Sequence, residues 1–478
     1  MQMIYGVKDR PKLGRLLLFS LQQLLAIRAA TIAVPMIVQN GMSPSAALFG
    51  AGVGTIVYLL FTKFKSPVFL GSSFAFLGSM SAAFAGGVSA SLGYLGLLIG
   101  AVFAGLVYVV IAVIVKFAGV KWIDKIMPAV VIGPTVAIIG LSLASNAVGD
   151  AVSTTMNSSG AYEMGLKGIL CLVCALITLA TTIVCSIYGK KLMKMIPFVL
   201  GILAGYAVAA IITAFSYIHN LAVAEELRII DFSKFLHMEW YPNFAFLQLF
   251  GEYNAGEAGN IGAYIGTVAV AYIPVSFVVF AEHIADHKNI SSIIEADLLK
   301  DPGLTRTLLG DGVGSIAGAL VGGCPNTTYG ESVGCVAISG NASVRTILVT
   351  AVMAIVASFI GPFVTFLSTI PACVMGGVCI ALYGFIAVSG LKMIQGVNLG
   401  ENKNLFVVSV ILIAGVGGMS LKFGAVTLTE VACALILGIL TNLLVNIRGK
   451  KKGKTEDTAT TETDETIEEN KNEITMEK

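Results

Sequence analysis

Charge is what this chain most lacks: Asp, Glu, Lys and Arg make up 12% of its 478 residues, against about 25% in soluble domains. So few ions cannot solvate an ordinary water-facing surface, which argues against a soluble fold. Strict apolar–polar alternation is missing too, which argues against a membrane β-barrel, because the apolar runs are continuous. There is no catalytic signature: no metal-ligand cluster, nucleophile elbow or phosphate loop, and GDGVG (310–314) opens an apolar run instead of following a strand. Neither an enzyme nor a cofactor is expected, and the net charge of +2 gives no sign of a nucleic-acid partner. The eight cysteines all lie in apolar runs or at their edges. Cys171 and Cys174 form a C-x-x-C, but inside an apolar run with no second pair and no histidine nearby, so they read as buried small hydrophobes rather than a metal or redox site. The first fifteen residues are polar and basic for too long to read as a cleaved signal peptide.

What is present is apolar length. With 56% hydrophobic residues and a mean hydropathy of +0.87, the chain reads as an all-α polytopic membrane protein, its 53 glycines suited to close helix packing. Apolar segments fall at about 14–38, 46–61, 69–85, 92–117, 124–146, 166–187 and 193–217, then at 261–286, 307–323, 325–340, 344–367, 370–391, 404–421 and 424–447. That predicts roughly fourteen spans, several too short to cross a ~30 Å core as straight helices.

The basic residues test the count. With a cytoplasmic N-terminus, Lys63, Lys65, Lys116, Lys121, Lys125, Lys190, Lys191, Lys194, Lys288, Lys300, Arg306, Arg345, Lys392 and Lys403 fall in inner loops, together with both basic termini. Outer loops receive only Lys167, Arg228, Lys234 and Lys422. The positive-inside rule is thus met with an even number of spans and both termini cytoplasmic. The long outer connection 218–260 is acidic (Glu225, Glu226, Asp231, Glu239, Glu252, Glu257), with Trp240 and Tyr241 placed for the interface. The Thr/Glu-rich tail 449–478 has no apolar face and reads as a disordered cytoplasmic tail.

Split at the outer connection, each half holds about seven spans, and an odd number inverts one half against the other. Inverted repeats of this kind belong to secondary transporters, whose substrate lies near the midplane where interrupted helices meet. The third span of each half supports this. SPVFLGSSFAFLGSMSAAF (66–84) matches CPNTTYGESVGCVAISG (324–340) in a proline followed by two hydroxyl residues and an aromatic, Ser72-Ser73-Phe74-Ala75 against Thr327-Thr328-Tyr329-Gly330. Both predict a short extended stretch followed by a half-helix, whose free amides lipid forbids unless they line a cavity. Such amides suit carbonyl oxygens.

Several ionisable residues stand out within the spans. In VVFAEHIADHKN (278–289), Glu282 and Asp286 share one helical face, and His283 and His287 another. Glu331 lies inside the tenth span. Intramembrane acids are costly unless they face a cavity, and they mark substrate or proton pathways by default; two of them near one site would share a proton, as proton coupling requires. For Glu282 and Glu331 the other reading is a buried carboxylate pinned by helix-end amides. For His283 and Asp286 a packed, hydrogen-bonded side chain and a functional role stand even. Arg28 interrupts the first span and either snorkels or pairs with an acid.

These motifs resemble the nucleobase–ascorbate transporter family, and within it the bacterial uracil permeases. The resemblance spans nearly the whole chain, through SLQQLLAIRAATIAVP (20–35), GSSFAF (71–76), AEHIADHKNI (281–290), DPGLTRTLLGDGVGS (301–315), PNTTYGESVG (325–334) and PACVMGGV (371–378). It implies an inverted seven-plus-seven fold with a core domain (1–120 and 261–367) and a gate domain (121–217 and 368–448), and proton symport of uracil by alternating access across the cytoplasmic membrane. Carried over by position, it implies that Glu282 and Glu331 bind the N–H and carbonyl edge of uracil, with Phe74 and Gly330 amides on its carbonyls. Phe74 and Tyr329 would line the ring, beside Ser73, and Tyr383 would stand on the gate side. Proton coupling would involve Glu282, Glu331, His283 and Asp286, and the gate would form a homodimer. The chain departs from the family pattern at Gln23, Arg28, Asp286, Ser332 and Ser339. A xanthine or purine symporter of the same family, or an anion channel or exchanger of the same fold, remains open on the sequence.

Overall fold

A computed structural model describes residues 3–447 apart from 28–30, 32–33, 36–37, 39–41, 86, 155–156, 158–160, 191–192, 194–195, 220–226, 239, 241, 243, 245–246, 248, 255–260, 424–425 and 429. Arg28, Tyr241, the acidic residues Glu225, Glu226, Glu239 and Glu257, and the tail 449–478 lie outside the described residues.

Most of the chain is helical, as expected where backbone amides must be satisfied within each segment. In chain order the helices are α1 (Leu13–Ala26), α2 (Pro44–Phe61), α3 (Leu77–Ala83), α4 (Ala90–Ala118), α5 (Lys121–Ile126), α6 (Ala129–Ser142), α7 (Ala144–Val152), α8 (Leu166–Ile187) and α9 (Pro197–His219). They continue as α10 (Ile261–Ile294), α11 (Leu304–Leu320), α12 (Gly330–Ser339), α13 (Val344–Ser358), α14 (Gly361–Thr369), α15 (Ala372–Ile394), α16 (Asn402–Val416) and α17 (Glu430–Asn446). Between them lie β1 (Leu70–Ser72) and β2 (Asn326–Thr328), and a hairpin of β3 (Leu421–Phe423) and β4 (Val426–Leu428).

Among the described residues, seven helical stretches are long and apolar enough to cross a membrane: α2, α4, α6 running into α7, α8, α9, α10 and α15. The other predicted segments are built differently. Segments 69–85 and 325–340 each become a strand followed by a short helix, and 344–367 becomes α13 and α14, bent by 102°. The remaining ones correspond to the shorter helices α1, α11, α16 and α17.

Helices α6 to α9 and α15 to α17 pack on one another, while α2, α4, α10, α11 and α13 pack together with both β1 and β2 near α2 and α11. Glycines set the closest approaches. A Cβ on Gly50 would lie 2.6 Å from the Gly318 carbonyl, and one on Gly54 2.7 Å from the Gly314 carbonyl, so α2 and α11 touch backbone to backbone. Gly312 of the GDGVG motif likewise sits against Gly105 of α4, which makes that motif a packing surface.

Strands β1 and β2 pair antiparallel, Leu70 opposite Thr328, Gly71 opposite Thr327 and Ser72 opposite Asn326. The ladder extends through Ser73 N–H to the Pro325 carbonyl (3.1 Å) and Tyr329 N–H to the Phe69 carbonyl (3.1 Å). Side chains satisfy its outer edges. The Leu70 amide donates to Thr55 Oγ1 (3.0 Å), which itself donates to the Leu70 carbonyl (3.1 Å), and Asn326 Nδ2 donates to the Gly50 carbonyl (3.1 Å). This pair puts the start of α12 and the turn at Phe74–Phe76 side by side in the interior.

Candidate functional site

A cavity of about 110 Å³ opens where these two breaks meet. One wall comes from the strand pair and α10: Ser73, Ala75, Thr327 and Thr328, the α12 start at Gly330 and Glu331, and Glu282 and Asp286 one turn apart. The facing wall is contributed by Ile139, Ser142 and Leu143 at the end of α6, Ile386 of α15 and Val431 of α17. Acids, hydroxyls and a helix N-terminus thus face a largely apolar surface, an arrangement suited to a flat polar ring.

Each acid has its own setting. Glu331 sits in the first turn of α12, where the helix dipole favours negative charge. Glu282 reaches the same cavity from α10. Among the described residues, no side chain donates a hydrogen bond to either carboxyl group. Asp286, by contrast, accepts from Thr328 Oγ1 at 2.7 Å, which ties α10 to β2. The Ser73 hydroxyl is buried without a protein partner among the described residues and lines the same cavity.

The remaining predicted residues occupy varied places. Tyr329 contributes to the lining, but its ring is wedged against Gly71, where a Cβ would overlap it, and its hydroxyl donates to the Ser72 carbonyl (2.8 Å). Thr31 Oγ1 meets the same hydroxyl at 3.2 Å. The Phe74 backbone begins the short turn after β1, and its side chain lies outside the described residues. His283 does not line the cavity. Its Nδ1 pairs with Asp311 Oδ2 (2.7 Å) and its Nε2 with Thr307 Oγ1 (3.0 Å), both on α11. Its ring stacks on His287 with centroids 4.0 Å apart, and His287 Nε2 lies 2.7 Å from the Tyr58 hydroxyl. Tyr383 is buried on α15, and Ile386, nearly one turn later, is the residue of that helix that reaches the cavity.

Two features escape the sequence reading. Asp311 carries the same signal as Glu282, an acid in an apolar helix, but the glycines around it draw attention to backbone motifs instead. The apolar facing wall has no sequence signal at all.

A buried polar cavity at the meeting of two interrupted membrane segments defines a permease-type, multi-pass membrane protein. Residues 14–423 match the family model described as "Permease family", and the chain belongs to this family, the nucleobase–ascorbate transporters. It is 40% identical to a uracil permease of Bacillus caldolyticus, over 92% of this chain and 94% of the relative. It is 32% identical to the uracil permease of Escherichia coli K12, over 92% and 94% respectively. In fold it is similar to the murine Slc26a9 anion transporter in its inward-facing state, with a TM-score of 0.55 at 12% identity, over 92% of this chain and 69% of that one.

Proposed function

We propose that this chain is a proton-coupled uracil importer that works by alternating access. The observation that carries the reading is the pair of acids, Glu282 and Glu331, opening into one buried cavity without side-chain donors among the described residues. An ionised carboxylate there can accept a ring N–H, and a protonated one can donate to a ring carbonyl. Amides at the starts of the two half-helices, at Phe74 and Gly330, would meet the carbonyls, and Ser73 offers one further hydroxyl. The uracil permease names of the relatives support the substrate. Two acids that share a proton supply the coupling, with Asp286 one turn away; His283, bound to Asp311, would act on the site through α10.

The reading includes fourteen segments in two inverted repeats, with both termini cytoplasmic and 218–260 outside. The strand register supports the repeat. Moving Ser72 onto Thr327, as the matched motifs require, carries the pair Ser72–Asn326 onto Thr327–Gly71, so the ladder is unchanged by exchanging the halves. Residues 1–120 and 261–367 would form the core and 121–217 and 368–448 the gate, with the cavity between them, so that relative movement opens it to either side in turn. A homodimer through the gate completes the proposal.

The test is uptake of radiolabelled uracil into cells or proteoliposomes, with unlabelled uracil and xanthine as competitors. Glu331→Gln or Glu282→Gln should lower uptake roughly 10- to 150-fold, the ~1.5–3 kcal/mol carried by a hydrogen bond to a charged group, with the protein still in the membrane. Normal proton-driven uptake by both variants would refute the assignment. Competition by xanthine rather than uracil would move the substrate to the purines.

A further inference from the structure

A second cavity lies at the surface, away from the carboxylates. It is a groove of about 550 Å³ with Lys8, Arg10 and Arg345 at its rim and Leu16, Phe64 and Leu348 along its wall. The polar N-terminus is folded into place to build it. The amides of Ile4 and Tyr5 donate to the Gly340 carbonyl (2.7 and 3.1 Å), and those of Ala342 and Val344 return to the Tyr5 and Val7 carbonyls (2.9 and 3.1 Å). Ser343 Oγ donates to the Asp9 carbonyl at 2.7 Å, so residues 4–9 are strapped along the loop between α12 and α13. Lys8 and Arg10 are thereby held beside Arg345, the second residue of α13.

This placement is unfavourable by itself. Three cations gather where the helix dipole is already positive, and Ser343, at the cap position, spends its hydroxyl on Asp9 rather than on the helix amides. Among the described residues, none of the three cations has a carboxylate partner. The one acid of the strap, Asp9, turns its carboxylate back to accept the Gly6 amide at 2.7 Å and does not line the groove. Below the charges the wall is apolar: Phe64 is 42% exposed, and α1 continues with Leu13 and Leu17 at 71% and 44%. A soluble anion would satisfy the cations and leave that wall bare. A phospholipid satisfies both.

We propose that the groove binds an anionic phospholipid, its phosphate on Lys8, Arg10 and Arg345 and an acyl chain along Phe64, Leu16 and Leu348. With the N-terminus cytoplasmic, as proposed above, this lipid belongs to the inner leaflet; the binding itself does not depend on transport.

The test uses the full-length purified protein in detergent, with retention of phosphatidylglycerol, phosphatidylcholine of matched chains and inorganic phosphate followed by native mass spectrometry and thermal unfolding. Phosphatidylglycerol should bind more tightly than phosphatidylcholine, with about fivefold lost per cation removed in Lys8→Gln, Arg10→Gln or Arg345→Gln. The triple variant should fall roughly a hundredfold. All three side chains are exposed, so the variants should fold. Lys403→Gln, at a distant site, should leave the affinity unchanged. Equal binding of the two lipids, a triple variant that retains phosphatidylglycerol, an equal loss in Lys403→Gln, or stabilisation by inorganic phosphate that matches the lipid would each overturn the proposal.

Discussion

At Gly330 a methyl group would meet Ile386 Cδ1 at 3.5 Å, Asp286 Oδ1 at 3.8 Å and Ile139 Cγ2 at 3.9 Å, all ordinary contacts. Neither backbone strain nor crowding demands glycine here. What glycine preserves is open space in the cavity, at the start of α12. Gly330→Ala should therefore leave the thermal midpoint unchanged and weaken uracil uptake roughly 10- to 200-fold, the effect of one surplus methyl in a fitted site; wild-type kinetics would place transport elsewhere. Gly71 is the opposite case, since its missing Cβ makes room for the Tyr329 ring. Tyr329→Phe would leave the buried Ser72 carbonyl without its donor, costing about 1–3 kcal/mol of stability, read as a lower unfolding temperature. Sequence marked Tyr329 as a ring wall, and the aromatic and its position were legible there. That its hydroxyl fastens β1 was not, because the Ser72 carbonyl is 257 residues away in sequence.

At the scale of elements, the strand pair survives in the interior because neighbouring helices satisfy it. Thr55 serves both polar groups of Leu70, and Asn326 anchors β2 to α2. Gly54 and Gly318, at the close approach of α2 and α11, leave the room in which the Asn326 side chain reaches the Gly50 carbonyl. Gly54→Val should force these helices apart, costing about 1–3 kcal/mol or more, and lower the yield of monodisperse protein. Normal yield and thermal midpoint would show that the contact is dispensable. Proline and glycine in 66–84 and 324–340 made both breaks legible, since they interrupt a helix through purely local geometry. The bend after Ser358 carries the same kind of signal, Gly361-Pro362, but the apolar run 344–367 continues through it and hides it.

At the scale of the molecule, the cavity lies between two groups of helices, so transport by relative movement should be stopped by linking them. A Cβ on Gly334 of α12 would lie 3.1 Å from Leu382 Cδ1 of α15. In a background without native cysteines, oxidised Gly334→Cys/Leu382→Cys should lose uptake and regain it on reduction. Gly438→Cys/Ile411→Cys, within one group, where a Cβ on Gly438 first meets the Ile411 side chain that the second substitution removes, should stay active when oxidised; loss in both pairs would argue against movement between the groups. If a proton accompanies uracil, uptake should rise as external pH falls and collapse with a protonophore. Uptake that is flat with pH and unaffected by the protonophore would remove proton coupling.

By itself the sequence determined that this is a multi-span membrane protein, where two of its spans break, and that Glu282, Asp286 and Glu331 lie within it. Each of those signals is local: the length of an apolar run, a helix-breaking residue, a charge that lipid penalises. Only the tertiary structure decided that Ile139, Ser142, Leu143, Ile386 and Val431 close the cavity, and that the His283 ring is spent on Asp311 and Thr307. The physical reason is that lipid tails and protein interior are equally apolar. A membrane helix therefore carries no pattern that tells a face turned to lipid from one turned to a buried site, and only packing makes that choice.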